Sequence, residues 1–232
     1  MFTGDGVVGS DFDPATAGVG THTVTYEFTD ANGCTNSTTT DVVVNDLPEC
    51  IASNNGPVCM GDDVTLMETG PDAVSWSWTG PGGFTSTDQN PLVSPAVSGT
   101  YTVEITDANG CVSTCTTEVV VNALPECIAS NNGPVCMGED ITLMETGPDA
   151  VSWSWTGPGG FTSTDQNPLV SPAVAGTYTV EITDANGCVS TCTTEVVVNA
   201  LPECIASNNG PVCMGDDVTL METGPDLSLI HI

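Results

Sequence analysis

No lysine and no arginine occur among the 232 residues, against 30 aspartates and glutamates, so the formal charge is −30. Those missing cations exclude whole classes of partner. Nucleic-acid binding depends on cationic side chains that displace counterions from phosphate, and this chain has none. An anionic membrane surface repels it for the same reason. Schiff-base chemistry, phosphate clamps and guanidinium oxyanion donors go with the residues that would supply them. Long apolar runs are missing too: no stretch approaches the ~20 residues that span a bilayer, so no membrane insertion is expected. The start, Met1-Phe2-Thr3-Gly4-Asp5, has neither the basic residues nor the apolar core of an export signal. For a chain that looks exported, this leads to the expectation that the natural N-terminus lies upstream.

Acidity of this size keeps a protein soluble and opposes its compaction, so dissolved cations must screen it. The chain nevertheless reads as folded. Hydrophobic residues make up 39% of it, and Val, Thr and Ile recur in alternating runs, the chemistry of strands. Eleven cysteines in such a composition point to an oxidising compartment, where disulfides are favoured over a zinc tetrathiolate.

The dominant signal is internal repetition. Leu47-Pro48-Glu49-Cys50 returns as Leu124-Pro125-Glu126-Cys127 and as Leu201-Pro202-Glu203-Cys204, a period of 77 residues. Residues 47–123 and 124–200 form two complete modules that differ only at Asp62/Glu139, Val64/Ile141 and Ser98/Ala175. Residues 201–226 repeat the first part of a third copy. The register then breaks: Leu227-Ser228-Leu229-Ile230-His231-Ile232 replaces the expected Ala-Val-Ser-Trp. This tail, 227–232, resembles the translation of a sequencing-library adaptor and is expected to be no part of the repeat. At the other end Thr29-Asp30-Ala31-Asn32-Gly33-Cys34 matches Thr106-Asp107-Ala108-Asn109-Gly110-Cys111, so residues 1–46 read as the C-terminal half of a divergent module.

Within residues 47–122 the pattern predicts short strands at Cys50–Ser53, Val64–Thr69, Ala73–Thr79, Phe84–Thr87, Pro91–Ser94, Thr100–Thr106 and Val112–Val121. In the third of these Val74, Trp76 and Trp78 share a face, and in the sixth Tyr101, Val103 and Ile105 point inward. Asn54-Asn55-Gly56-Pro57, Gly70-Pro71-Asp72 and Gly80-Pro81-Gly82-Gly83 punctuate the strands, and Asp107-Ala108-Asn109-Gly110 reads as a hairpin turn. No helical period persists. The expected fold is all-β: tandem immunoglobulin-like antiparallel β-sandwiches, stapled by disulfides.

Several motifs together carry a family likeness. They are Val58-Cys59-Met60-Gly61 before a strand, Ser77-Trp78-Thr79-Gly80-Pro81 with Gly83-Phe84-Thr85-Ser86, Gly99-Thr100-Tyr101-Thr102-Val103, and Asp107-Ala108-Asn109-Gly110-Cys111. They resemble the Ig-like, PKD-like repeats of large surface proteins, among them adhesins of gliding Bacteroidota. The likeness covers nearly the whole chain before residue 227. It implies an extracellular or cell-surface setting, and a structural or adhesive role.

Each module holds four cysteines, at 50, 59, 111 and 115 and again at 127, 136, 188 and 192, which allow three connectivities. In the N-terminal segment Cys34 keeps the Asn-Gly-Cys position, while Thr38 stands where Cys115 would be. The resemblance implies a pair between the cysteine before the second strand and the Asn-Gly-Cys cysteine. That gives Cys59–Cys111 with Cys50–Cys115, and Cys136–Cys188 with Cys127–Cys192. Cys50–Cys111 with Cys59–Cys115 stays open.

Other candidate sites compete with ordinary structural readings. Asp62, Asp63, Asp72, Asp88 and Asp107, with Asp140 and Asp184 in the second module, lie at turns. There carboxylates serve turn chemistry or hold Ca²⁺, although no spacing matches a known calcium loop. Trp76, Trp78 and Phe84 make either an aromatic platform for sugars or a core, and the shared face with Val74 favours core. His22 alternates with Val24, Tyr26 and Phe28 as a strand position, and the full modules contain no histidine. No cofactor and no catalytic residue is expected. The favoured function is a stalk that projects a binding tip, its partners being neighbouring modules of the same chain and, through other regions, surface glycans or proteins. The alternatives are a glycan- or Ca²⁺-binding module repeated for avidity, and a spacer array on a secreted enzyme.

Overall fold

The structure is a computed structural model and describes residues 1–222. The chain forms two compact units, Met1–Asn122 and a second that begins at Ala123. Residues 223–226 of the third copy and the tail 227–232 lie outside the described residues.

The first unit opens with five strands: β1 (Phe2–Thr3), β2 (Val7–Val8), β3 (Asp11–Phe12), β4 (Gly20–Thr29) and β5 (Thr35–Val44). A single helical turn, α1 (Pro14–Ala17), sits between β3 and β4, and the Asp13 side chain caps it by accepting the Ala15 N–H. β4 and β5 make a long hairpin around the Asp30–Gly33 turn, with β1 along its edge. His22, in β4, is half-buried with its Nε2 2.9 Å from the Gly18 carbonyl oxygen.

The first full repeat follows as β6 (Ala52–Asn54), β7 (Val58–Cys59), β8 (Val64–Glu68), β9 (Ala73–Thr79), β10 (Thr85–Ser86), β11 (Leu92–Val93), β12 (Gly99–Asp107), β13 (Val112–Val119) and β14 (Val121–Asn122). A four-stranded sheet runs β10-β9-β12-β13 and a three-stranded sheet runs β11-β8-β6. The alternation read from the sequence drives both. In β8 Val64, Leu66 and Glu68 are buried, and in β12 Tyr101, Val103, Ile105 and Asp107. With Trp78, Val93, Ala96 and Val119, the apolar members form one core between the sheets. The fold is an all-β, Ig-like sandwich. One of its hallmarks is a tyrosine near the start of a long strand tied back to the preceding corner: the Tyr101 hydroxyl donates to the Val97 carbonyl at 3.0 Å. At Gly80 a Cβ would lie 2.3 Å from the Tyr101 ring, so only glycine lets the chain pass there.

Two features depart from the sequence reading. Val74 does not share the buried face of Trp76 and Trp78: it is 59% exposed, while Trp78 is fully buried and Trp76 half-buried. The register explains this. Thr106 pairs with Ser75 and Asp107 with Ala73, so Val74 is the extra residue of a bulge and turns outward. The second feature is β7, a strand the pattern did not predict. After the Gly56-Pro57 break the chain pairs in parallel with the last strand, Val58 opposite Val121 and Cys59 opposite Asn122.

The second unit repeats this plan: β15 (Ala129–Asn131), β16 (Val135–Cys136), β17 (Ile141–Glu145), β18 (Ala150–Gly157), β19 (Phe161–Ser163), β20 (Leu169–Val170), β21 (Gly176–Asp184), β22 (Val189–Val196) and β23 (Val198–Asn199). Its sheets run β19-β18-β21-β22 and β15-β17-β20, with β16 parallel to β23. The short pair β24 (Ala206–Asn208) and β25 (Leu220–Glu222) ends the described chain.

Removal of the fully buried indole should be costly where removal of the bulged valine is not. Trp78→Ala is expected to destabilise the first repeat by about 3–5 kcal/mol. Val74→Ala should stay within about 0.5 kcal/mol. Urea unfolding of the full chain checks both, the tryptophan variant splitting the curve so that one repeat unfolds ahead of the other.

Candidate functional site

The cysteines are the first residues that the fold sorts. Cys50 precedes β6 in one sheet and Cys115 lies inward on β13 in the other. Their sulfurs are bonded with the Cα atoms 5.6 Å apart, and Cys127 and Cys192 are bonded likewise at 5.7 Å. Each bridge joins the segment leading into the first strand of a repeat to the long strand before the last, where antibody domains bridge the second to the sixth. A closed loop of 65 residues is worth about 4 kcal/mol in the chain-entropy account.

The expected bridges Cys59–Cys111 and Cys136–Cys188 are not formed. Cys111 is a half-exposed free thiol and Cys136 an exposed one. The alternative Cys50–Cys111 with Cys59–Cys115 is not formed either. The reason is the unpredicted strand. Pairing of β7 with β14 places Cys59 beside Asn122, where the chain leaves the repeat. Cys111 follows the β12–β13 hairpin at the other end. Eleven residues of mostly extended chain separate Cys111 from Asn122, roughly 30 Å or more, whereas a disulfide needs its Cα atoms within about 7 Å.

The acidic candidates are sorted by the same geometry. Asp107 is buried at the end of β12, and its Oδ1 accepts the N–H of Asn109 at 2.9 Å and of Cys111 at 2.8 Å. Its Oδ2 accepts from the Asn109 amide at 3.2 Å. Asp184 makes the same turn with Asn186 and Cys188. Burial pushes the Asp107 carboxyl up. The hydrogen bonds from Cys111 and Asn109 outweigh that and hold its pKa below the ordinary carboxylate value, and Asp184 behaves alike. Asp62 stands at the far end of the repeat, where its Oδ2 accepts the Cys59 N–H at 3.3 Å. Asp63 and Asp140 are exposed beside it and beside its counterpart Glu139. The fold therefore does not bring Asp62, Asp63 and Asp107 together. Among the described residues no group of three or more His, Cys, Asp or Glu is placed to hold a metal ion. A cleft of about 280 Å³ opens where the chain enters the first repeat, lined by Asn45, Asp46, Pro48, Asp72, Asp107 and Asn109. The Asp107 oxygens on its wall are already occupied by the turn.

The aromatic residues are packed rather than presented. Phe84 meets the Tyr101 ring edge-on at 5.5 Å, and the Trp78 indole N–H donates to the Gln89 carbonyl at 3.3 Å. Trp76 leads to a residue that sequence reasoning missed. Its indole N–H donates at 2.9 Å to Glu68, whose carboxylate is fully buried. The same carboxylate accepts the N–H groups of Ile51 at 3.2 Å and Gly70 at 2.6 Å. The backbone of Glu68 is held in turn by Asn90 and Gln89. Glu145 repeats the arrangement with Ile128, Gly147 and Trp153. The signal was present: Glu68 follows Val64 and Leu66 at period two, so alternation points it inward.

No protein-family model matches the chain, and no curated protein matches it in sequence. Many solved structures share elements of its fold. Murine CEACAM1b is 14% identical over 65% of this chain and 100% of its own, with a TM-score of 0.33. The insect immune protein hemolin is 16% identical over 77% of this chain and 56% of its own, at 0.36. A Ca²⁺-stabilized adhesin with which an Antarctic bacterium binds ice is 14% identical over 78% of this chain and 56% of its own, at 0.44. Among the described residues no helix is long and apolar enough to cross a membrane.

The depressed Asp107 and Asp184 carboxyls set a pH dependence with a definite sign. Stability they contribute is fully present above the unfolded aspartate value of about 3.9. It is lost as the pH falls through the lower folded value. Asp107→Asn with Asp184→Asn keeps a turn acceptor but removes the titration. Thermal melts of that variant between pH ~5 and ~2 should fall less steeply than those of the parent.

Proposed function

We propose that the chain is a stretch of repeat stalk from an exported or cell-surface protein, of the adhesin type its motifs resemble in Bacteroidota, and that it projects a binding tip rather than performing chemistry. The observation that carries this reading is the position of the bridge. The chain enters a repeat at Leu47, meets Cys50 after three residues, and leaves at Asn122, seven residues after Cys115. Tension applied along the array passes from the entering segment through the Cys50–Cys115 bond to the leaving segment. The residues enclosed by the bridge are bypassed, and of the strands only Thr116–Val119 of β13 and β14 lie in the path. A bridge so placed protects the sandwich from load, which suits a tether and has no evident use in a catalytic domain.

Composition supports the same reading. The full repeats contain no histidine, lysine or arginine, so the usual acid–base and electrophilic partners of a nucleophile are missing from both. Two near-identical copies with a core and a staple each suit a spacer built by duplication. The absence of lysine and arginine also leaves trypsin no site anywhere in the chain. The link Val121-Asn122-Ala123-Leu124-Pro125 is short and ends in proline, which favours restricted bending between repeats.

Small-angle scattering from the full chain tests the stalk. The expected profile is that of an extended particle whose repeats keep a fixed mean separation. A profile that needs freely rotating repeats contradicts it.

A further inference from the structure

Within the first unit, the N-terminal segment repeats one sheet of the sandwich in full register. β4 pairs with β5 as β12 pairs with β13. Val24 faces Thr40 as Tyr101 faces Thr117, Tyr26 faces Thr38 as Val103 faces Cys115, and Phe28 faces Asn36 as Ile105 faces Ser113. β1 takes the place of β9, with Phe2 opposite Tyr26 where Trp78 is opposite Val103. Phe2, Val24, Tyr26 and Phe28 are therefore the counterparts of Trp78, Tyr101, Val103 and Ile105. In the first repeat all four are fully buried against Val64, Leu66 and Val93 of the other sheet. In the N-terminal segment only Val24 is buried. Phe2 is 42% exposed, Tyr26 38% and Phe28 57%. A groove of about 340 Å³ opens along Phe2, Tyr26 and Thr38–Thr40.

Charge decides what can cover this face. The chain holds 30 acids and no lysine or arginine, so two copies repel one another. The exposed face is the exception. Alternation puts Glu27 and Asp41 on the other side of the hairpin, where Asp41 accepts the Thr23 hydroxyl at 2.8 Å. The face itself presents aromatic rings, Asn36 and threonines, and no acid. Two copies can meet here without bringing carboxylates together, and each offers the other the covering sheet that the first repeat supplies from within. The three rings leave roughly 270 Å² per copy to bury. With Asn36 and the threonines of β5 the face approaches the roughly 600 Å² per partner of the smallest specific interfaces. We propose that the β1-β4-β5 face is a self-association surface, through which two copies of the chain pack sheet on sheet about a two-fold axis. The dimer is a weak one and tightens with salt, because screening lowers the repulsion between two chains of charge −30. The inference concerns the N-terminal segment alone and does not rest on the stalk reading.

The test is sedimentation velocity of the full chain, with exposed thiols such as Cys34 alkylated beforehand so that no disulfide links two copies. The expected result is a monomer–dimer equilibrium whose association tightens about tenfold or more between ~0.05 and ~0.5 M NaCl. Phe28→Glu places a carboxylate within the contact and should abolish the dimer. Asn36→Glu, at the exposed polar position paired with Phe28, makes the same test without removing a ring. Val43→Glu adds the same charge on the opposite side of β5 and should leave the dimer intact. Unchanged far-ultraviolet circular dichroism reports that the variants are folded. A chain that stays monomeric at every salt concentration overturns the proposal. So does a dimer that survives both face variants, one that Val43→Glu abolishes equally, or assembly that grows beyond the dimer, as a contact between unlike surfaces would.

Discussion

Every buried acid in this protein must be satisfied without a cation, and much of the repeat is arranged around that constraint. A buried carboxyl without partners is costly, and lysine or arginine is the usual remedy. Here N–H groups do the work. The Glu68 carboxylate takes two backbone N–H groups and the Trp76 indole, which ties the residue before β6, the turn after β8 and the middle of β9 to one point. Gly70 belongs to this arrangement, because a Cβ there would lie 2.7 Å from the Glu68 Oε1 and 1.9 Å from the Glu49 carbonyl oxygen. At the end of β12 the hairpin folds its own N–H groups over Asp107, and the Asp30 turn of the N-terminal segment does the same with Cys34 and Asn32. The Asp30, Asp107 and Asp184 turns are thus anion-binding loops whose anion is their own aspartate.

Hydrogen bonds of this kind orient the strands but leave the surface charge uncompensated. Self-repulsion weakens a small sandwich whose apolar core comprises nine buried side chains. The bridge between the segment before β6 and the strand β13 offsets this through the unfolded chain, which it shortens by a closed loop. On the proposed stalk reading the same bond has a second effect: by linking the arriving segment to β13 close to the exit, it takes the residues enclosed by the bridge out of the path of tension.

The parts of the fold legible in the sequence were those set by period-two alternation within one strand. β9 was read at its observed bounds, and β8 and β12 to within a residue at either end, because each has an inner face of Val, Leu, Ile, Tyr or Trp. What escaped depended on pairing between distant strands. The bulge at Val74 is a matter of register with β12, which no local pattern encodes. β7 is only two residues long and gains its meaning from β14, more than sixty residues later. The cysteine positions were plain, but which ends of the sandwich they occupy followed from β7, so a pairing taken from family likeness put Cys59 with a partner at the wrong end. Glu68 was legible by alternation and was overlooked because an inward glutamate runs against the ordinary distribution of that residue.

The central claim is that tension runs through the Cys50–Cys115 and Cys127–Cys192 bonds and spares the strands that these bridges enclose. Single-molecule pulling of the full oxidised chain measures this directly. A repeat of 77 residues with 65 locked inside the bridge has about 12 to release, roughly 40 Å of extended chain. With reductant each repeat should release about 250 Å in one cooperative step. Long steps of that size without reductant would contradict the account, because they would place the sheets in the path of the load.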